Sequence, residues 1–168
     1  NVYSNAKATS GSANTGGGGG GAGYPSTAAN TSYGGDGGSG IVIVRYLVPA
    51  PTTPDLSVGN DSGASTTDNI TSTRTLTFTG TSTVDASVQL SYKTAASMSD
   101  TDASDTGWTN TGSACTSNST TGEWSCTTAE LTAGQTYKFK ATATATVEGQ
   151  SDTQTSATAL PVTIDTTA

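Results

Sequence analysis

Two cysteines, Cys115 and Cys126, and thirteen aspartates and glutamates are the side chains of this 168-residue sequence with the clearest chemical reach, and no histidine assists them. Without imidazole the commonest general base is missing, and with it the usual catalytic triads and most zinc sites. A nucleophilic cysteine would have no histidine to take its proton. Asp100 and Asp102 have the spacing of the first ligands of a calcium loop, but Asp105 stands where such a loop needs glycine and Thr111 where it needs glutamate. These aspartates, Asp105 included, read instead as a solvated acidic loop. A glycosidase pair could be drawn from the acids by spacing, yet no aromatic-lined cleft or carboxyl-raising environment accompanies one. The sequence reads as that of a non-enzymatic protein.

The cysteines are better suited to each other. They flank the turn-like residues 117–122, so a β-hairpin there would set them opposite one another. A secreted, Ser/Thr-rich composition meets oxidising conditions, and closing so short a loop stabilises a fold by about 2 to 3 kcal/mol.

Six Lys and Arg against thirteen Asp and Glu leave a net charge of -7, and the cations stand singly at Lys7, Arg45, Arg74, Lys93, Lys138 and Lys140. A nucleic-acid groove or an anionic-membrane patch needs clustered cations, so neither is expected. The longest apolar run, residues 41–48, is broken by Arg45 and falls short of the roughly 18 residues that span a bilayer. With neither an initiator Met nor a signal-peptide pattern at Asn1, the chain reads as a processed or excised part of a larger secreted precursor.

Glycine divides the chain. Thirteen of the 21 glycines fall within residues 11–40, six of them in the unbroken run 16–21. No Lys-Ser/Thr pair or helix follows that would make a phosphate cradle. Two readings stay open: a flexible linker, or extended polyproline-like glycine strands packed side by side because no Cβ holds the backbones apart. An isolated glycine tract loses so much backbone entropy on ordering that something must hold it. After it, Ile41, Ile43 and Leu47 would line one face of a strand and Val42, Val44, Tyr46 and Val48 the other. Such a strand wants burial on both sides, so it is expected to dock on the following domain or on another chain. The expected domains are a glycine-rich arm, 1–48, and a sandwich, 49–168.

Past Pro49, Pro51 and Pro54 the periodicity is two. Leu76, Phe78 and Gly80 alternate with threonines, as do Val88, Leu90 and Tyr92 with polar residues. Tyr137, Phe139, Ala141, Ala143 and Ala145 point inward against an outward row of Lys138, Lys140, Thr142, Thr144 and Thr146. With Leu56 and Val58, a strand around Trp124, and Leu160, Val162 and Ile164, about seven strands emerge, the pattern of an all-β two-sheet sandwich.

From 53 to 168 these residues resemble the bacterial immunoglobulin-like repeats of large surface adhesins. PDLSVGNDSGASTTDNIT (54–71) is similar to the opening strand and acidic loop, and LTFTGTS (76–82) to the second strand. TTGEWSCTTAELTAGQTYKFKATATA (120–145) is similar to the turn-Trp hairpin and Leu-x-x-Gly-x-x-Tyr corner, and PVTIDTTA (161–168) to the closing strand and junction. The resemblance implies an immunoglobulin-like β-sandwich and calcium at a domain end, at Asp61, Asp68 and Asp165. It departs from the family at Val147, Glu148 and Gly149, where an Asp before an Ala-Gly-Asn turn is usual. The cysteine pair is uncommon in the family and reads as a substitute for calcium stiffening. ANTGGGGGGAGYPSTAANTSYGGDGGSGIVIVRY (13–46) resembles the end of glycine-rich domains in phage tail proteins and large bacterial surface proteins.

These readings imply an extracellular or cell-surface structural subunit of a filament or adhesin stalk. It would self-associate into a filament or tandem array through its glycine-rich arm and the apolar strand. The alternative is a module of a phage tail fibre or adhesin tip that binds a glycan or host-surface receptor. Clustered surface aromatics at Tyr24, Tyr33, Trp108 and Trp124 would favour a sugar platform, and a buried Trp124 would favour scaffolding.

Overall fold

The computed structural model describes residues 8–22, 33–43 and 48–167. The chain divides into two compact units, residues 1–45 and residues 46–168.

In the first unit the glycine-rich chain runs in three segments joined by backbone hydrogen bonds. Ala8 N–H donates to Tyr33 O and Gly11 N–H to Asp36 O, while Gly35 N–H donates to Gly20 O and Gly38 N–H to Gly17 O. Gly20 N–H closes the set on Thr9 O. Donors and acceptors advance by three residues at each step, the repeat of a polyproline II helix, whose backbone makes no bonds within itself and must find them in a neighbour. Glycine is what permits the approach. A Cβ on Gly11 would fall on Gly17 O, on Gly19 on Gly35 O, on Gly35 on Thr9 O, and on Gly38 on Ser12 O. The side-by-side reading therefore describes this region, and the segments hold one another by pairing backbone groups that a lone tract would leave to water.

The second unit is a two-sheet sandwich. The smaller sheet orders β1 (Asp55–Leu56), β3 (Thr77–Thr81) and β7 (Glu123–Thr127). The larger has β8 (Gln135–Val147) near its centre, with β4 (Ser87–Thr94) along one side and β10 (Leu160–Ile164) and β9 (Gln150–Thr155) sharing the other. Short strands finish it: β2 (Ile70–Thr71) lies parallel to β10, and β5 (Thr109–Asn110) and β6 (Cys115–Thr116) pair with β4. Ten strands are described where about seven were expected; β2, β5 and β6 are two-residue pieces too short for any periodicity to show, and β9 is a wholly polar strand with no apolar alternation to mark it.

The core lies between the sheets as the alternation requires. Phe78 of β3 meets Phe139 of β8 with ring centroids 4.3 Å apart, and Leu76, Val88, Leu90, Val162 and Ile164 close around them. Tyr137, Ala141, Ala143 and Ala145 are buried with them, and so is Val48 at the start of the unit. Val58 is instead exposed, in the turn after β1. Leu131, Gly134 and Tyr137 form the expected corner: Gly134 turns the chain at φ 72°, and Thr132 N–H donates to the Tyr137 hydroxyl at 3.2 Å. Strands β8 and β9 are joined by Glu148 and Gly149, both at positive φ as a two-residue hairpin turn demands. Thr142 pairs with Thr155, Thr144 with Thr153 and Thr146 with Ser151 through their hydroxyls at 3.1, 2.9 and 2.7 Å, supporting β9 where apolar contact is scarce.

Candidate functional site

The densest electrostatic arrangement lies on the outer face of the larger sheet. Strand β8 turns Lys138 away from the core, where alternation predicts a solvated ammonium, yet its side chain is 1% exposed. Residues 95–108 cover it. The loop is fastened where Ala95 N–H donates to Thr136 O, Ala159 N–H donates to Thr101 O, and Asp102 bridges to Thr158. From this cover Asp100 and Asp105 reach Lys138 Nζ at 2.6 and 2.7 Å, and Lys93 of β4 meets the same Asp105 oxygen at 3.1 Å. Trp108 Nε1 donates to Asp105 O at 2.6 Å, and Lys140 Nζ sits 4.4 Å from the centre of the Trp108 ring.

The expectation of a freely solvated acidic loop is therefore corrected for Asp100 and Asp105. Covering a strand lysine costs solvation, and the loop carboxylates offset it. Burial pulls the Lys138 pKa down, but the hydrogen bonds it donates to Asp100 and Asp105 outweigh it and the net shift is upward. Those same bonds from Lys138 hold both carboxyls below their ordinary values, with help from the Ala96 amide at Asp100 and from Lys93 at Asp105. Burial lowers the pKa of Lys140. The periodicity puts Lys138 on the outer face correctly; what it lacks is any signal that a loop whose carboxylates stand 38 and 33 residues upstream folds over that face. A buried amine held between two carboxylates fastens the loop to the strand beneath it.

Cys115 and Cys126 are disulfide-bonded, with Cα atoms 5.7 Å apart. They do not face one another across a hairpin ladder as expected. Strand β6 pairs with β4 in the larger sheet and β7 with β3 in the smaller, so the bond ties the two sheets together. The turn between them is held by Asn118, whose carbonyl takes the amide of Gly122 and whose own amide donates to Glu123 O.

Of the acidic residues named for calcium, Asp61 and Asp68 lie in the loop before β2 and Asp165 follows β10. Asp61 is 4% exposed; its Oδ2 accepts from the Asn69 amide at 3.2 Å, and its Oδ1 is buried with no hydrogen-bond partner. Asp68 Oδ1 accepts from the Ile70 amide at 3.1 Å. The Asp165 carboxylate takes both the amide and the hydroxyl of Thr167, at 2.9 and 2.7 Å, which lowers its pKa. Among the described residues no three acidic or cysteine side chains gather as a metal set. Calcium takes about six to eight oxygens, so the three aspartates do not fit it as one site, and the spare oxygen of Asp61 is the single feature there that a cation would satisfy.

Ile41, Val42 and Ile43 are in no strand and are exposed, at 61%, 89% and 72%. Val44, Tyr46 and Leu47 lie outside the described residues, and Val48 is in the sandwich core. Trp124 is buried on the inner face of β7, whereas Trp108 belongs to the loop outside the larger sheet, so the two tryptophans share no face. Tyr33 is exposed, and Tyr24 lies outside the described residues. No helix among the described residues is long and apolar enough to cross a membrane.

Neither a curated protein nor a solved structure matches the chain. Residues 2–47 match a glycine-rich domain. Residues 47–166, the stretch that forms the sandwich with its tyrosine corner, match the bacterial Ig-like domain, and the chain belongs to that family.

Proposed function

We propose that this chain is a non-enzymatic structural module of a bacterial surface filament or adhesin stalk, working outside the cell and self-associating through its glycine-rich arm and the exposed apolar residues 41–43. The family and the glycine-rich region fit a surface or structural protein, and a disulfide suits an extracellular setting. The observation that carries assembly is the run Ile41, Val42 and Ile43, three large apolar side chains left to water in succession. Exposed apolar residues standing singly are ordinary, but consecutive β-branched ones form a segment ready to add to a sheet edge. The burial of Trp124 supports scaffolding over an aromatic sugar platform. Sedimentation of the full chain across a concentration series tests the reading. Wild-type protein should form larger species with rising concentration, and Val42→Asp should shift the distribution to monomer. A monomeric wild type, or assembly unchanged in Val42→Asp, rejects it.

A further inference from the structure

If residues 41–43 carry self-association, a sheet edge on a second copy must receive them, and the edge assigned here rests on that reading. Strand β7 has one. Ser82 N–H donates to Gly122 O and Thr128 N–H to Leu76 O, so the even-numbered residues of β7 bond to β3 and the odd-numbered ones turn their N–H and C=O groups outward. Glu123 is already engaged on that side, its carbonyl by the Asn118 amide and its amide by the Thr121 hydroxyl. Ser125 and Thr127 are not: nothing among the described residues bonds their outward backbone groups.

The remaining edges are less open. On β1 the outward position before Leu56 is Pro54, which brings no N–H. Beside β2, the Gly63 amide takes Ile70 O and Asp68 takes the Ile70 amide. Strands β5 and β6 have two residues each and are parted by a turn at Gly112. Strand β9 is long enough, but the Asp152 carboxylate occupies its outward Thr153 amide. Asp152 and Gln154 also lie on the inner face beside Ala145 and Ala143, an inward charge of the kind that keeps an edge from pairing. At β7 the inner-face neighbours are Trp124 and Cys126, both buried, with the partly buried Cys115 bonded to the latter.

We propose that the free edge of β7, at Ser125 and Thr127, receives residues 41–43 of a second copy as an added antiparallel strand. The register follows from the spacing. Two outward residues two apart need partners two apart, so Ile41 pairs with Thr127 and Ile43 with Ser125, which uses all four free backbone groups. Val42 then falls opposite Cys126 and points inward, out of water, beside the buried margin of the sandwich. Two places further along the sequence the same register brings the charge of Arg45 opposite Glu123, so the segment and its acceptor match in charge as well as in backbone groups.

Sedimentation of full-length variants tests this. Ser125→Pro removes an edge N–H that the fold does not use, so it should fold as the wild type does, by circular dichroism, yet stay monomeric. Val42→Asp spoils the segment, leaves the edge intact and should also be monomeric. An equimolar mixture of the two should form a one-to-one dimer and grow no further, because one intact segment and one intact edge remain between them. A charge exchange checks the same contact without proline: Glu123→Arg should raise the concentration needed for assembly about fivefold, and adding Arg45→Glu should restore it. Assembly by Ser125→Pro, a mixture of the two folded variants that stays monomeric, or a Glu123→Arg defect that Arg45→Glu leaves in place overturns the proposal. If Val42→Asp still abolishes assembly in that case, self-association through residues 41–43 stands and only its acceptor falls; a wild type that never assembles removes both.

Discussion

Lys138 Nζ lies 2.6 Å from the Asp100 carboxylate, joining a strand in the middle of the larger sheet to a loop residue 38 positions earlier in the chain. The pH dependence of that clasp follows from the direction of each shift. Asp100 and Asp105 are held below their ordinary values, so their contribution is present above about pH 4 and lost as acid carries the pH down through the lowered values. Lys138 is held above its ordinary value, so its contribution is present below about pH 10 and lost as base carries the pH up through the raised value. Protection of the amides in residues 96–106, taken as the ratio of intrinsic to observed exchange rate at each pH, should hold a plateau between and should fall at both ends. Lys138→Met should remove the plateau by leaving two carboxylates over an apolar side chain. Exchange in that loop that is the same in wild type and variant would reject the clasp.

The glycine-rich unit gives a sharper contrast between neighbouring positions. A Cβ at Gly35 would fall on the Thr9 carbonyl, whereas one at Gly18 would meet nothing within 4 Å. Gly35→Ala should therefore break the three-segment packing and Gly18→Ala should leave it intact. Exchange rates of the Gly11, Gly20 and Gly38 amides report this, since each donates across the segments. Backbone clashes of this kind cannot relax as a side chain can, so those amides should lose their protection together. Equal effects of the two substitutions would mean that the segments do not pack as described.

Much of the sandwich was legible in the sequence because strand alternation records which face is buried. Phe78, Phe139, Val162 and the alanines of β8 needed nothing else. The fate of Lys138 and of Cys115 was less legible, for the same physical reason in each case. Period two assigns a side chain to a face, but it says nothing about what later covers that face or which sheet a two-residue strand joins. Asp61 was legible as acidic and not as buried, since its burial depends on a loop in which Asn60 accepts from the Thr71 hydroxyl and the Thr77 amide.

The disulfide should matter for stability rather than for foldability. It closes a sequence separation of 11 residues and links the two sheets, while the phenylalanine pair and the aliphatic residues around it form the core independently. Replacing both cysteines by serine should lower unfolding stability by about 2 to 3 kcal/mol, with the denaturation still a single transition. Denaturant titration of the two proteins measures it. A variant of unchanged stability, or one that no longer folds, would contradict this assignment of the bond.

For calcium the three aspartates do not act together. Asp165 is occupied by Thr167, while Asp61 keeps one buried oxygen with no partner. One spare oxygen falls short of the about six to eight that calcium takes, so the melting temperature of the wild type should be indifferent to excess calcium and to chelator. A calcium-dependent rise that Asp61→Asn abolishes would overturn this reading.

The last prediction separates assembly from folding. The sandwich buries Val48, Leu56 and the rest of its core without residues 1–45, so a protein beginning at Tyr46 should fold, whereas a cut after Val48 would remove a core side chain. Losing that valine would cost about 1.5 to 3 kcal/mol of apolar burial and confuse a loss of assembly with a loss of stability. If residues 41–43 add in trans to a neighbour's sheet edge, the contact repeats head to tail without closing, and its product is a filament rather than a dimer. Burying Ile41, Val42 and Ile43 there, at about 1.5 to 3 kcal/mol each, is enough to offset the ordering of a short segment. Protein starting at Tyr46 should then melt as the full chain's sandwich does and remain monomeric by light scattering and electron microscopy. Filaments formed by the truncated protein would place assembly in the sandwich, and a full chain that stays monomeric would leave the exposed isoleucines and valine without the role assigned to them.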